Sequence, residues 1–168
     1  MMEQKKYKTI YLDPPWNESG GGKIKRGADK HYSLMKTKDI ILLLDEKIKP
    51  MIDDNAHCYL WVTNNFLKDG IMVLESLGFR YITNIVWVKN NISLGQYFRG
   101  RHEICLFGVK GKFFSGSRKE STVIIAPKRE HSKKPDEMYT KIENVSLSPR
   151  LEVFARNKRD GWDVYGSQ

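Results

Sequence analysis

The sequence has 168 residues, of which 40% are hydrophobic and 29% charged, and this composition is typical of one globular domain with a full core. No apolar run exceeds five residues and the N-terminus is polar, so we expect neither a membrane protein nor a secreted one, but a cytoplasmic location. Cys58 and Cys105 each lie in a strand-like apolar run and are expected to be core thiols, not a disulfide or a metal pair.

The net charge is +9, which suits a polyanionic partner. The positive charge is densest between residues 97 and 134, where ten Lys or Arg residues stand against three Glu. This loop-rich segment contains Arg99, Arg101, Lys128 and Arg129, which are candidates for contacts with nucleic acid. A basic loop is also a common form of plain solvated surface, and composition alone leaves that alternative open.

Hydrophobic periodicity predicts strands alternating with helices. Strands are predicted at 7–12, 56–63, 81–89, 102–110, 123–126 and 151–155, with a short edge strand in the tail. Helices are predicted at 38–49, capped by Thr37 and ended by Pro50, at 66–77, and from Pro135 onwards. Residues 17–30, with three consecutive glycines from Gly20, are expected to be a flexible lid, and residues 90–100 a polar loop.

This alternation predicts an α/β fold whose sheet is mostly parallel, with helices on both faces. Ligands of such sheets bind outside the carboxyl ends of the strands. Asp13 follows the first predicted strand, and residues 152–156 close the last one, so these two strand ends are the candidate site.

Asp13 begins an unusual corner, Asp13-Pro14-Pro15-Trp16. Each proline fixes its own φ, and Pro15 also holds Pro14 extended, so the Asp13 carboxylate and the neighbouring carbonyls are presented at fixed angles. Two such acceptors match the two hydrogens of a planar amine, and Trp16 offers a face for a ring. The alternative is that Asp-Pro-Pro is only a turn.

With these residues in this order, the chain resembles the family of the catalytic subunit of the mRNA N6-adenosine methyltransferase and its minimal bacterial and phage relatives. The shared motifs are Asp13-Pro14-Pro15-Trp16, Leu60-Trp61-Val62-Thr63, Ile85-Val86-Trp87-Val88-Lys89, the run 102–111, Lys134-Pro135-Asp136-Glu137, Phe154-Ala155-Arg156, Gly161-Trp162 and Gly166-Ser167-Gln168. The resemblance implies a Rossmann-like, circularly permuted S-adenosylmethionine-dependent methyltransferase fold, in which the catalytic corner comes early and the cofactor strand late.

The resemblance also implies roles for individual residues. The catalytic corner comprises Asp13, Pro14, Pro15 and Trp16, with Asp13 and the Pro14 carbonyl accepting from an adenine amine and Trp16 packing on the base. The cofactor would be held by Lys134, Glu152, Phe154, Arg156, Asn157, Ser167 and Gln168. The nucleic-acid substrate would contact Tyr32 and Glu103, beside the basic residues Arg99, Arg101, Lys128 and Arg129. No metal is expected. Trp61, Trp87 and Trp162 are expected to lie in the core.

Two departures from the family pattern concern the cofactor. No acidic strand-end motif is found in residues 1–6, and Ser167 stands where Asn is usual. DNA is favoured over RNA by analogy with minimal members. The alternatives are an RNA methyltransferase, a non-catalytic nucleic-acid-binding subunit and a methyltransferase of a protein glutamine amide. A homodimer or a partner subunit is compatible with the sequence.

Overall fold

The computed structural model describes residues 4–18, 34–112, 116–130 and 133–167. The strands are β1 (Tyr7–Leu12), β2 (Ile52–Val62), β3 (Arg80–Ser93), β4 (Gly100–Lys110), β5 (Val123–Ile125), β6 (Arg150–Ala155) and β7 (Asp163–Ser167). The helices are α1 (Thr37–Lys47), α2 (Leu67–Ser76) and α3 (Glu137–Val145). All predicted strands and helices are therefore present, including the edge strand of the tail.

The seven strands form one sheet in the order β5-β3-β4-β2-β1-β6-β7. β1 runs parallel to both β2 and β6, and β3–β5 and β6–β7 are also parallel pairs. Only β4 pairs antiparallel, with β2 on one side and β3 on the other. The predicted mostly parallel sheet is confirmed, and β1 and β6 lie side by side with their carboxyl ends at the same edge.

Helices pack on both faces of the sheet, as predicted. Ile40 and Leu44 of α1 and Val73 of α2 join Ile10 and Leu12 of β1 in one buried cluster. On the other face, Met138 and Ile142 of α3 pack with Tyr11, Tyr59 and Trp61. The strands of the central sheet are covered twice, which explains their nearly continuous apolar sequences. No helix in the described ranges is long and apolar enough to span a membrane.

Several predicted boundaries differ from the structure, among them the start of β2, which lies at Ile52 and not at residue 56. Thr37 is the first residue of α1, and Lys36 precedes it without a side-chain cap, so the Thr37 cap was wrong. α1 ends at Lys47, and Pro50 lies in the short 3₁₀ turn that follows. The predicted polar loop at 90–100 is shorter, because Ser93 still pairs with Gly100 and extends the β3–β4 hairpin. The lid predicted around Gly20 lies outside the described residues.

The buried aromatic and thiol side chains agree with the sequence predictions. Trp61, Trp87 and Trp162 are all buried, and Cys58 and Cys105 are buried free thiols.

Candidate active site at the carboxyl ends of β1 and β6

The Asp13 corner is pinned by backbone hydrogen bonds. The Trp16 amide donates to the Pro14 carbonyl over 2.9 Å, and the Met35 amide donates to the Pro15 carbonyl over 2.8 Å. The Asn17 amide donates to the Met35 carbonyl over 3.1 Å, which closes a short bridge beside the corner. Since a carbonyl oxygen has two lone pairs, that of Pro14 keeps one for a further donor. The two prolines and these bonds give Asp13 and the Pro14 carbonyl a fixed position.

The Trp16 ring is buried in the core directly behind the Asp13 corner. Trp16 is 5% exposed, its ring stacks on Phe66 at a centroid distance of 5.4 Å, and its indole N–H donates to the Trp61 carbonyl over 3.0 Å. The ring is thus covered by the protein, and its polar atom is already bonded. This differs from the predicted packing on a base, and it assigns Trp16 to holding the corner in place.

An ion cluster of Asp13, Glu103, Lys134 and Lys89 lies beside the corner. Lys134 Nζ is 2.8 Å from Glu103 Oε1 and 3.8 Å from Asp13 Oδ1. Lys89 Nζ is 2.7 Å from Glu103 Oε2, so one carboxylate holds two ammonium groups. Lys134 also lies 5.1 Å from the centre of the Trp61 ring, and Lys89 lies 4.9 Å from that of Trp87. Cation–π contacts of this kind add to the ionic ones where water is excluded.

The environment separates the pKa values of the two carboxylates in the ion cluster. Burial raises the pKa of Asp13, and the Glu103 charge adds to this, although the Lys134 ammonium opposes it. Burial acts in the same direction on Glu103, but the ammonium groups of Lys134 and Lys89 outweigh it and lower the pKa of Glu103 to about 2. Lys134 would lose its proton more easily on burial, but Asp13 and Glu103 raise its pKa above the ordinary value. Glu103 is therefore a fixed anion, whereas Asp13 can exchange a proton more readily.

A cavity of about 350 Å³ is lined in part by Asp13 and Lys134. Its walls include four further residues that the sequence assigns to the cofactor, Glu152, Phe154, Arg156 and Asn157. The volume lies within the range of about 300–1,000 Å³ that is usual for small-molecule sites. Asp13, Lys134 and these four residues therefore line one cavity.

Glu152 gives this cavity an unsatisfied acceptor. The residue is 8% exposed, and Tyr139 donates its hydroxyl to Oε1 over 2.7 Å. Oε2 is buried and has no hydrogen-bond partner among the described residues. Burial raises the pKa of Glu152, and the Asp13 charge adds to this, against the Tyr139 hydrogen bond. A buried carboxylate oxygen without a donor is costly, which indicates that a ligand supplies one.

Phe154 lies in the same wall with a strained backbone. Its φ of +63° is in the left-handed region, which is a rare conformation for a bulky residue inside a strand. Such strain persists where the surroundings impose it, and it is concentrated at functional sites.

A second, basic cleft of about 610 Å³ lies on the far side of Glu103. Arg99, Lys128 and Arg129, predicted as substrate contacts, line it together with Glu103 and Lys89. Arg101 donates its Nε–H to the Lys89 carbonyl over 2.9 Å and stays exposed beside the cleft. Glu103 is already paired with two ammonium groups, so the cleft presents a positive surface.

The sequence model of the MT-A70 family matches residues 7–168. The chain belongs to the MT-A70 family. It is 32% identical over 175 residues to a probable N(6)-adenosine-methyltransferase MT-A70-like protein of Oryza sativa subsp. japonica, covering 95% of this chain and 22% of that protein. It is 30% identical over 181 residues to the human N(6)-adenosine-methyltransferase catalytic subunit METTL3, covering 97% and 28% respectively.

A bacterial relative matches over more of its own length. Type II methyltransferase M.MunI of Mycoplasma sp is 28% identical over 189 residues, which cover 98% of this chain and 78% of M.MunI. The chain thus spans about a quarter of the plant and human relatives, but most of the bacterial one.

Membership of the MT-A70 family agrees with the residues that the two cavities bring together. Some predicted residues are not placed: Tyr32, Gln168 and the side chain of Ser167 lie outside the described part of the chain. Within that part, no group of three or more His, Cys, Asp or Glu side chains is arranged to hold a metal ion.

Four residues of the candidate site were not predicted from the sequence. Lys89 holds Glu103, and Tyr139 holds Glu152. Asp136 forms ion pairs with Arg129 over 2.9 Å and with Arg159 over 2.8 Å. These pairs link Arg129, which lines the basic cleft, to Asp136 and Arg159, which line the cofactor cavity. Lys89 had a local signal, because it is a charge at the end of an apolar run, but its partner Glu103 is supplied by the pairing of β3 with β4. The other three depend on the packing of α3 against the sheet, which no local pattern reveals.

Proposed function

We propose that this protein transfers a methyl group from S-adenosylmethionine to the N6 amine of adenine in nucleic acid, with DNA favoured over RNA. The observation that carries the proposal is that Asp13, directly after β1, and Glu152, within the adjacent parallel strand β6, line one cavity. The Asp13 corner offers paired acceptors for an amine, and Glu152 offers a buried acceptor for hydroxyl groups.

The corner residues act on the adenine amine. Its lone pair is delocalised into the ring, so it is a weak nucleophile. The Asp13 carboxylate and the Pro14 carbonyl accept its two N–H groups, which draws the nitrogen toward a pyramidal geometry and stabilises the positive charge that develops there. The methyl carbon would bond to N6 as its bond to the sulfonium sulfur breaks, which would leave a neutral thioether. Asp13 would receive one N–H proton of the amine, and its raised pKa favours this transfer.

The second strand end binds the cofactor. When bound, S-adenosylmethionine supplies an activated methyl group. Lys134 and Arg156 line the cavity and would pair with a carboxylate of the cofactor, and Glu152 Oε2 would accept from its ribose hydroxyls. Phe154 flanks the same cavity. Holding amine and cofactor side by side supplies much of the rate enhancement, because positioning removes the entropy cost of encounter.

The preference for DNA is supported by one comparison. The chain covers 78% of a relative that is named a type II methyltransferase, which agrees with the analogy to minimal members that favours DNA. It covers less than a third of the relatives that are named for adenosine methylation. The basic cleft beside Glu103 suits either polymer, since phosphates are common to both.

The deciding experiment is to incubate the protein with S-adenosylmethionine and either DNA or RNA, digest to nucleosides and measure N6-methylation by mass spectrometry. We expect N6-methyldeoxyadenosine from wild type and none from Asp13→Ala. Methylation of RNA alone would contradict the preference for DNA and would identify RNA as the substrate. Equal signals from wild type and Asp13→Ala, or none from either, would overturn the enzymatic assignment.

A further inference from the structure

The tip of the β3–β4 hairpin exposes a large apolar surface. Tyr97 is fully exposed, Phe98 is 85% exposed and Leu94 is 81% exposed. Single exposed apolar residues are normal on a protein surface, but a cluster of two aromatic rings and a leucine marks an interaction site. The aromatic pair plays no part in the corner or in the cofactor cavity.

The tip has a defined shape. Tyr97 has a φ of +60°, which a residue with a large side chain rarely adopts. Ser93 Oγ donates to the Gly100 carbonyl over 2.9 Å and closes the base of the tip. A Cβ on Gly95 would collide with the Phe98 carbonyl oxygen, so only glycine fits this turn. The chain therefore holds both aromatic residues in a strained turn while leaving their rings in solvent.

The charges around the tip identify the kind of partner. Leu94 and Arg99, which flank the two aromatic residues, both line the basic cleft with Lys128 and Arg129. Glu103, the acidic residue of the cleft, is neutralised by Lys89 and Lys134. Aromatic rings at the rim of a positive groove are the usual arrangement for binding nucleic-acid strands, in which the bases stack on the rings and the groove follows the backbone.

We propose that Tyr97 and Phe98 stack on the bases that neighbour the target adenine and hold them unstacked while that adenine enters the site. An adenine must leave its stack to reach an enclosed corner, and aromatic or apolar side chains that insert between bases stabilise the opened strand. This inference rests on the proposed function, because it takes the adenine at Asp13 as the centre of the bound strand. A second copy of this chain covering the rings is the competing arrangement.

The test uses an equilibrium binding assay that does not require methyl transfer. The probe is a single-stranded DNA oligonucleotide with one adenine among thymines and 2-aminopurine, whose fluorescence reports stacking, as the neighbour of that adenine. The variants are Tyr97→Ala/Phe98→Ala and the aromatic replacement Tyr97→Trp, with Leu42→Ala, exposed on α1, as control. Thermal unfolding of each variant verifies that the fold is intact.

We expect the double alanine variant to bind roughly tenfold more weakly per ring lost and to lose the fluorescence change, whereas Tyr97→Trp and Leu42→Ala bind like wild type. The slope of log Kd against log salt should not change, because no charge is removed. Equal binding by the double alanine variant, or no binding by wild type, would overturn the inference. The inference would also be overturned if the double alanine substitution converted a dimer into a monomer in sedimentation and left oligonucleotide binding unchanged.

The two proposals fail in different ways. A wild-type protein that binds through the rings but methylates no nucleoside contradicts the proposed function and supports the stacking role. A wild-type protein that methylates DNA, with binding independent of the rings, contradicts the stacking role alone.

Discussion

The Lys134 ammonium lies 3.8 Å from the Asp13 carboxylate. A residue predicted to bind the cofactor is therefore in contact with the residue predicted to accept a hydrogen bond from the adenine amine. The same ammonium is bound more closely by Glu103, over 2.8 Å. A negatively charged cofactor group that pairs with Lys134 must share it with these two carboxylates. Occupation of the cofactor cavity therefore changes the electrostatic environment of Asp13, and we infer that the two halves of the site are coupled through Lys134.

Asp13→Asn should abolish most activity without unfolding the protein. Asparagine retains one acceptor oxygen but cannot take a proton and carries no negative charge, so we expect kcat to fall by about 10²-fold or more, as when a transition-state hydrogen bond is removed. Burial and the Glu103 charge raise the pKa of Asp13 and make its ionised form costly, so its replacement should leave the free energy of unfolding at pH 7 unchanged or larger.

The same pKa shift predicts a pH profile. Asp13 must be ionised to accept from the amine, so kcat/KM should fall as the pH drops through a value above the ordinary 3.8 of an aspartate. Steady-state methyl transfer between pH 5 and 8 measures this. A profile that stays flat over this range would show that the raised pKa of Asp13 lies below it, or that Asp13 is not the acceptor.

Glu103→Gln should destabilise the protein in a pH-dependent way. The pKa of Glu103 in the folded protein is about 2 against an ordinary 4.5, so the ionised carboxylate contributes up to about 3 kcal/mol above pH 4.5. This contribution is lost as the pH falls from 4.5 toward 2. Urea unfolding at pH 7, 5, 4 and 3 should show a wild-type advantage that shrinks over the last steps. A pH-independent difference would contradict the ion cluster, and Glu75→Gln on α2 is the exposed control.

The basic cleft predicts a defined salt response. Lys128→Ala removes one cation that lines the cleft, so the slope of log Kd against log salt for an oligonucleotide should decrease by about 1. Lys38→Ala, on the exposed side of α1, removes the same charge and should leave the slope unchanged. Equal slopes for Lys128→Ala and wild type would place the nucleic acid elsewhere.

The sequence predicted the positions of strand ends better than it predicted which groups meet there. Alternating apolar runs are local and place Asp13 directly after β1 and Glu152 within β6, so the parallel pairing of these two strands brings the residues together. Lys89 meets Glu103 through the antiparallel pairing of β3 with β4, and a single sequence does not reveal which strands are neighbours. The Trp16 ring turns into the core because Phe66 and the Trp61 carbonyl satisfy it, which depends on tertiary packing.

Gly70 is a second case in which packing overrides local preference. By helix propensity, glycine weakens α2 by about 1 kcal/mol relative to alanine, so Gly70→Ala would be expected to stabilise it. In the structure Gly70 is buried, and an added Cβ would collide with Val62 Cγ1 and approach Leu106. Because Val62 is β-branched and stiff, we expect Gly70→Ala to lower the free energy of unfolding by about 1–3 kcal/mol, measured with urea. Lys68→Ala, exposed on the same helix, should be nearly neutral.

Glu152→Gln separates cofactor binding from folding. The glutamine oxygen can still accept from the Tyr139 hydroxyl, but its other atom is then an NH₂ group, which donates where Glu152 Oε2 accepts. A lost hydrogen bond to a charged group is worth about 1.5–3 kcal/mol, so calorimetric Kd for S-adenosylhomocysteine should rise by at least tenfold. Burial and the Asp13 charge raise the pKa of Glu152, which makes its charge costly, so the unliganded variant should melt at the wild-type temperature or above. An unchanged Kd would show that Glu152 Oε2 does not face the ribose, whereas Glu75→Gln should bind as wild type does.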